Sequence, residues 1–226
     1  MGKIAIVTGA SSGIGYEIAK QLTQKNWKVL GVAIDASSEN VFQGVVPLKV
    51  DLLKNGVQKE IIKVADEKFG SLDLLVNNAG CSWVGNFEDM ASTNIDRILD
   101  LNVRSLMLMA QEAIALLTKS QSGQIINIGS VAAHVPMEKI AVYCASKAAV
   151  VMFSKVLAKE LVPKGIRVNV LSPTGTDTKM FETVGVDIDK TCLVSSEDMA
   201  EMAIALTELP KSLDVSEIIT HKRFQP

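Results

Sequence analysis

The sequence predicts a single α/β domain, a doubly wound parallel sheet of about seven strands with helices on both faces. Two patterns carry that expectation. Apolar runs of about four to eight residues, rich in branched side chains, alternate with longer stretches of helical period, as strands buried on both faces and their crossover helices do. A glycine-rich stretch, TGASSGIG, directly follows the first apolar run and opens the first helical one. A length of 226 residues suits one domain, spanning 1–226, with a sizeable core.

The strands fall at 3–9 (KIAIVTG), 28–34 (KVLGVAI), 45–50 (VVPLKV), 72–78 (LDLLVNN), 123–130 (GQIINIGS), 166–172 (IRVNVLS) and 214–220 (DVSEIIT). Helices fit at 14–25, 56–69, 94–119, 143–162 and 197–208. Pro163 and Gly165 stop the fourth, and SSED ahead of MAEMAIAL supplies a capping residue and first-turn acid for the last. Between Asp35 and Gly44 the residues are mostly polar or small, too few for a full crossover helix, so that connection is expected to be abbreviated.

The charge balance of 23 basic against 25 acidic residues offers no broad attraction for nucleic acid or anionic lipid. Small-molecule chemistry is the expectation. Three widely spaced cysteines, Cys81, Cys144 and Cys192, suit neither a disulfide framework nor a zinc site and point to a reducing compartment. No stretch approaches 18 uninterrupted apolar residues, and the first apolar run is too early and short for a secretory signal; a cytoplasmic protein without a membrane span is expected.

Gly9, Gly13 and Gly15 stand where a strand turns into a helix. Glycines there let the backbone approach a pyrophosphate, while free helix N–H groups and the positive dipole end face the anion. The chain has two tyrosines, each four residues ahead of a lysine: Tyr16 with Lys20, and Tyr143 with Lys147. The first pair lies on the phosphate-cradling helix, far from any reacting ring, and reads as a half-exposed aromatic beside a solvated lysine.

TGASSGIG at the start, NNAG at 77–80, IGS ending at Ser130, YCASK thirteen residues beyond that serine, and RVNVLSP at 167–173 resemble the short-chain dehydrogenase/reductase family over nearly the whole chain. The resemblance implies a Rossmann-type sheet with a nicotinamide coenzyme along its carboxyl edge. It places the proton-transfer tyrosine at Tyr143, its lysine at Lys147, the substrate-orienting serine at Ser130 and the helix asparagine at Asn102. It further implies coenzyme contacts from Gly9, Ser11, Ser12, Gly13, Ile14 and Gly15, from Asp51 and Leu52 at the adenine, from Asn78, Ala79 and Gly80, and from Pro173, Thr176 and Thr178, besides Tyr143 and Lys147.

Each implied role has a physical reason. A phenol near pKa 10 is a poor acid–base partner at neutral pH, and an ammonium one helical turn away is expected to lower it toward the working range. Ser130 would hydrogen-bond the substrate oxygen as charge develops there. Asn102 would hold a water linking Lys147 to solvent. Asn77 and Asn78 would tie neighbouring strand ends together. Cys144 reads as packing. His134 and His221 read as surface residues, His134 with an outside chance of touching substrate.

Two departures qualify the resemblance. NAD-preferring members usually carry an acid where Ala33 stands and NADP-preferring members an arginine where Ile34 stands. Asp35, about 20 residues past Gly15, is in range to bond the adenosine ribose, which points to NAD(H), while Ser37 and Ser38 leave NADP(H) open. In PTGTDT at 173–178, Thr174 and Thr176 replace the usual glycine and aliphatic residue. The stretch 177–195, with Met180, Phe181 and Val184, reads as a short substrate lid. Trp83, Met137 and the lid's apolar residues suggest an uncharged carbonyl or alcohol substrate.

The reading is therefore an oxidoreductase passing hydride between a nicotinamide and a small carbonyl or alcohol, without metal, as a homodimer or homotetramer paired through the helices at 94–119 and 143–162. Two alternatives remain open: a non-catalytic dinucleotide sensor or scaffold of the same fold, and a sugar-nucleotide epimerase or dehydratase. The intact Ser130, Tyr143 and Lys147 speak against the first, and the short C-terminal stretch against the second.

Overall fold

The computed structural model describes residues 2–178, 180, 185, 189, 191 and 193–222. The seven expected runs form one sheet: β1 (Ile4–Thr8), β2 (Lys28–Ala33), β3 (Val46–Lys49), β4 (Leu74–Asn77), β5 (Gln124–Ile128), β6 (Arg167–Ser172) and β7 (Glu217–Ile219). Their order is β3-β2-β1-β4-β5-β6-β7, and every neighbouring pair is parallel. From β1 the chain winds outward to β3, then returns to the middle and winds the other way from β4. A crevice therefore opens where β1 and β4 part at their carboxyl ends, the place where doubly wound sheets bind ligands.

Helices cover both faces. On one side α1 (Gly13–Gln24) and α6 (Ser196–Glu208) bury Ile14, Ile18, Leu22, Met199, Ala203 and Ile204 against Val7, Val76 and Leu171. On the other, α2 (Val57–Phe69), α4 (Ser105–Leu117) and α5 (Ala141–Leu161) bury Ile61, Ala65, Met109, Leu117 and Leu157 against Ile6, Leu30, Leu75 and Ile125. Each large aliphatic side chain buried this way contributes roughly 1.5–3 kcal/mol relative to exposure.

The helix ends follow local chemistry. Ser195 caps α6, its hydroxyl accepting the Asp198 N–H at 3.0 Å. Pro163 sits in a single 3-10 turn after α5, and Gly165 ends it at φ +66°. The β2–β3 connection carries turns and no helix, and Ala36, Val41 and Val45 plug it into the core.

One expected element is corrected. The periodic stretch at 94–119 is not one helix but α3 (Ser92–Leu99), a π turn over Asp100–Arg104, and α4. A π turn takes up one residue more than the α repeat, and here it brings Asn102 into the interior, 1% exposed. By length and composition Ala141–Lys164 could cross a membrane. In this fold it is a core helix, with Ser146, Lys147 and Ser154 buried and bonded within the protein.

Candidate active site

The turn after β1 is shaped by its glycines. Gly9 adopts φ +68°, and a Cβ at Gly15 would collide with both the Gly9 carbonyl and the Asn78 amide. Only glycine lets the start of α1 lie this close to the β4 loop. Thr8 and Asn78 lock the two together: Thr8 Oγ1 accepts the N–H groups of Asn78 and Ala79 at 3.0 and 3.1 Å, while Asn78 Nδ2 donates to Thr8 O at 2.9 Å. Asn77 Nδ2 donates to Asn127 Oδ1 at 2.9 Å and ties β4 to β5.

Ser130 follows β5 and opens a 3-10 turn, Val131–Ala133, accepting the Ala132 N–H at 3.1 Å. Tyr143 and Lys147 lie one turn apart in α5, the phenol close enough to the Ser130 hydroxyl for that group to ease its ionisation. Lys147 is 5% exposed; its ammonium donates to the Ile128 carbonyl at 2.8 Å and lies 5.7 Å from the Tyr143 ring centroid. Burial pushes the Lys147 pKa down to about 8, against a smaller upward pull from Cys81.

The phenol does not follow the sequence expectation. Burial holds Tyr143 above its ordinary value, the Ser130 hydrogen bond pulls it back, and Cys144 and Cys81 raise it further. The group that eases its ionisation here is Ser130, because the lysine's ammonium is directed at the Ile128 carbonyl.

Asn102 is fixed by its side chain. Its amide is engaged within the protein: Oδ1 accepts the Cys81 N–H at 2.8 Å, and Nδ2 donates to Cys81 O at 2.9 Å and Ser146 Oγ at 3.1 Å. Ser146 in turn donates to the Tyr143 carbonyl at 2.7 Å. Asn102 therefore clamps the β4 loop to α5. Thr8 and Ser146 escaped sequence reading, although both lie inside quoted motifs, because their partners are brought near only by the fold.

These parts surround one cleft of about 550 Å³. Gly9, Ser12, Gly13 and Ile14 line one end; Asn78, Ala79, Gly80, Pro173, Thr176 and Thr178 the middle; Ser130, Tyr143 and Lys147 the other end, with Met137 and Met180. Ser11, Gly15, Asp35, Asp51 and Leu52 do not line it. Leu52 is buried in the core under β2, and Asp51 caps its own turn by accepting the Leu53 N–H at 3.0 Å. Asp35 is exposed just beyond β2.

Trp83 faces a separate recess of about 40 Å³ with Phe87 and Met90. His134 does not line the cleft, and Lys20 pairs with Glu17 at 2.8 Å, away from it. Of the lid, Met180 reaches the cleft, while Phe181, Val184 and also Cys192 lie outside the described residues. The segment's ends are pinned by a bridge between Thr176 and Val194. Burial pushes the Cys81 thiol up, leaving it a packing group. Among the described residues no His, Cys, Asp and Glu cluster could hold a metal.

The short chain dehydrogenase family model matches residues 3–189. The chain belongs to that family. This short-chain dehydrogenase is 33% identical over 221 residues to an uncharacterized oxidoreductase of Staphylococcus epidermidis, covering 96% of this chain and 95% of that one. Among solved structures, a 3-ketoacyl-(acyl-carrier-protein) reductase from Brucella melitensis, complexed with NADH, matches with TM-score 0.87 and 30% identity over 96% of each chain. An alcohol dehydrogenase from Thermococcus sibiricus, complexed with 5-hydroxy-NADP, shares the fold at TM-score 0.88 and 22% identity, over 100% of this chain and 99% of that one. The short-chain dehydrogenase is thus an oxidoreductase with the parallel sheet of its relatives.

Proposed function

We propose that this short-chain dehydrogenase interconverts a small ketone or aldehyde and its alcohol with a nicotinamide dinucleotide, Tyr143 exchanging the proton. The convergence of Ser130, Tyr143 and Lys147 at one end of the cleft, with the glycine cradle at the other, carries the reading. The residues present fit such a coenzyme: Gly9, Ser12, Gly13 and Ile14 line the cleft where α1 begins, and the first turn of α1 has no acidic side chain to repel phosphate. When bound, the nicotinamide supplies or takes up the hydride.

The chain supplies position and the proton. Ser130, which lines the same end of the cleft as the phenol, would hold the substrate oxygen between the two hydroxyls. Tyr143 Oη gives its proton to that oxygen in reduction and takes one back in oxidation. Lys147, held by Ile128 O, would meet the ribose hydroxyls. Met137, Met180, Val84 and Ile140 give the substrate end a largely apolar wall, with Glu138 and Ser82 also lining the cleft, which suits an uncharged carbonyl.

Coenzyme preference is read as NAD(H). A carboxylate at Asp35 disfavours a 2′-phosphate, and the Ser37 hydroxyl, the alternative phosphate ligand, is already engaged with Asn40 at 3.1 Å. The test follows NADH and NADPH absorbance separately against a panel of ketones, diketones, hydroxy acids and sugars. Tyr143→Phe is expected to abolish turnover while NADH still quenches or enhances fluorescence on binding; turnover retained in that variant would overturn the assignment.

A further inference from the structure

Glu217 lies on β7, outside the cleft, yet its side chain is only 7% exposed and its carboxylate takes partners from three other parts of the fold. The His134 Nε2–H donates to Oε1 at 2.6 Å, the Ser172 hydroxyl donates to the same oxygen at 2.7 Å, and the Lys155 ammonium sits 2.9 Å from Oε2. Two of the partners neighbour residues at the active end of the cleft, and the third shares the helix of Tyr143. His134 follows the 3-10 turn that Ser130 opens. Ser172 ends β6 against Gly129, where a Cβ would come within 2.5 Å of its hydroxyl, so it packs on the peptide just before Ser130. Lys155 belongs to α5, the helix of Tyr143 and Lys147.

The backbone closes the same frame. Gly129 N donates to Leu171 O at 2.8 Å and Val131 N to Pro173 O at 2.9 Å, so the peptides on both sides of Ser130 are held by the end of β6. An apolar side chain at position 217 would keep β7 in the sheet without burying a charge, which is costly unless the charge is paired. Burial by itself would push the Glu217 carboxyl up; Lys155, Ser172 and His134 together hold it below its ordinary value, so it stays an acceptor at neutral pH.

We propose that Glu217 is a positioning residue: by gripping His134, Ser172 and Lys155 at once, it fixes the Ser130 turn against α5 and keeps the Ser130 hydroxyl on Tyr143. None of the four lines the cleft, so the action passes through Ser130. The inference rests on the roles given to Ser130 and Tyr143 above, and its test has a readout besides turnover. The chain has two tyrosines, so in a Tyr16→Phe background the tyrosinate absorbance reports Tyr143 alone.

In that background Ser130→Ala is expected to move the Tyr143 titration midpoint upward, because the bond to Ser130 lowers it. Glu217→Ala is expected to move it upward as well, and the double variant no further than Ser130→Ala alone. Glu217→Gln, which keeps an acceptor oxygen, should restore most of the shift, and His134→Ala, the second variant should Glu217→Ala not fold, should carry the same sign. For the ketone that turns over fastest, Glu217→Ala should lower kcat about tenfold with KM for NADH unchanged, short of the roughly hundredfold or larger loss expected from removing a hydroxyl that contacts the reacting oxygen. A midpoint that moves in Ser130→Ala but not in Glu217→Ala or His134→Ala, or shifts that add in the double variant, overturns the proposal alone. A midpoint unmoved by Ser130→Ala overturns the Ser130 reading and this proposal with it.

Discussion

Lys147 shows how a single side chain can serve chemistry at the expense of the fold. Buried and pushed down to about 8 from the ordinary 10.5, its ammonium is less welcome in the folded chain than in the unfolded one. Below pH 8 both states hold the proton and the burial penalty is present in full. Between about 8 and 10.5 the unfolded chain binds more protons, so folding stability contributed by this group rises with pH across that window. Urea melts should show wild type gaining on Lys147→Met as pH is raised from 8 to 10.5, while the variant loses turnover; a difference independent of pH would show that the lysine is not buried as a cation. Ser130, Tyr143 and Lys147 were legible in the sequence through the family motifs IGS and YCASK, since spacing alone does not set Tyr143 and Lys147 apart from Tyr16 and Lys20. Glu217 was not: its bonds to His134 and Ser172 span 83 and 45 positions, and no local pattern records them.

Among elements, the strand–turn–helix at the start and the π turn before α4 matter most to the cleft. In the first, Gly15 has no room for another atom, since Gly9 O and Asn78 crowd the site of its missing Cβ. Gly15→Ala should cost about 1–3 kcal/mol of stability, the usual range for overpacking, and weaken NADH binding more than it weakens the fold; a thermal melt with and without NADH measures both. Unchanged binding would show that α1 can slide without disturbing the cradle. The glycines of this turn were readable because their type and spacing are dictated locally. The π turn was not, because LDLNVRS keeps helical periodicity through the insertion, and what stabilises the extra residue is a set of bonds from Asn102 to Cys81 and Ser146.

At the scale of the molecule, the alternation of short apolar runs and helices made the parallel sheet legible, whereas strand order depends on which neighbours pack and leaves no local trace. The outward faces of α3 and α5 leave Leu99, Met152 and Val156 exposed at 41%, 63% and 48%. We propose that these faces pair subunits. Light scattering should give a dimer or tetramer that Met152→Glu with Val156→Lys converts to monomer, and a monomeric wild type would remove the proposal.

The helix-free passage from β2 to β3 has a further consequence. Ala36, Val41 and Val45 anchor it, while Asp35 and Ser38 point no core atom inward. Residues that would discriminate one nucleotide from another thus ride on a short exposed strap whose moorings are separate from its reading positions. On the function proposed above, exchange of those few positions would retune nucleotide choice without recutting a helix or repacking the sheet, so selectivity would be a detachable trait and the proton-transfer apparatus a built-in one.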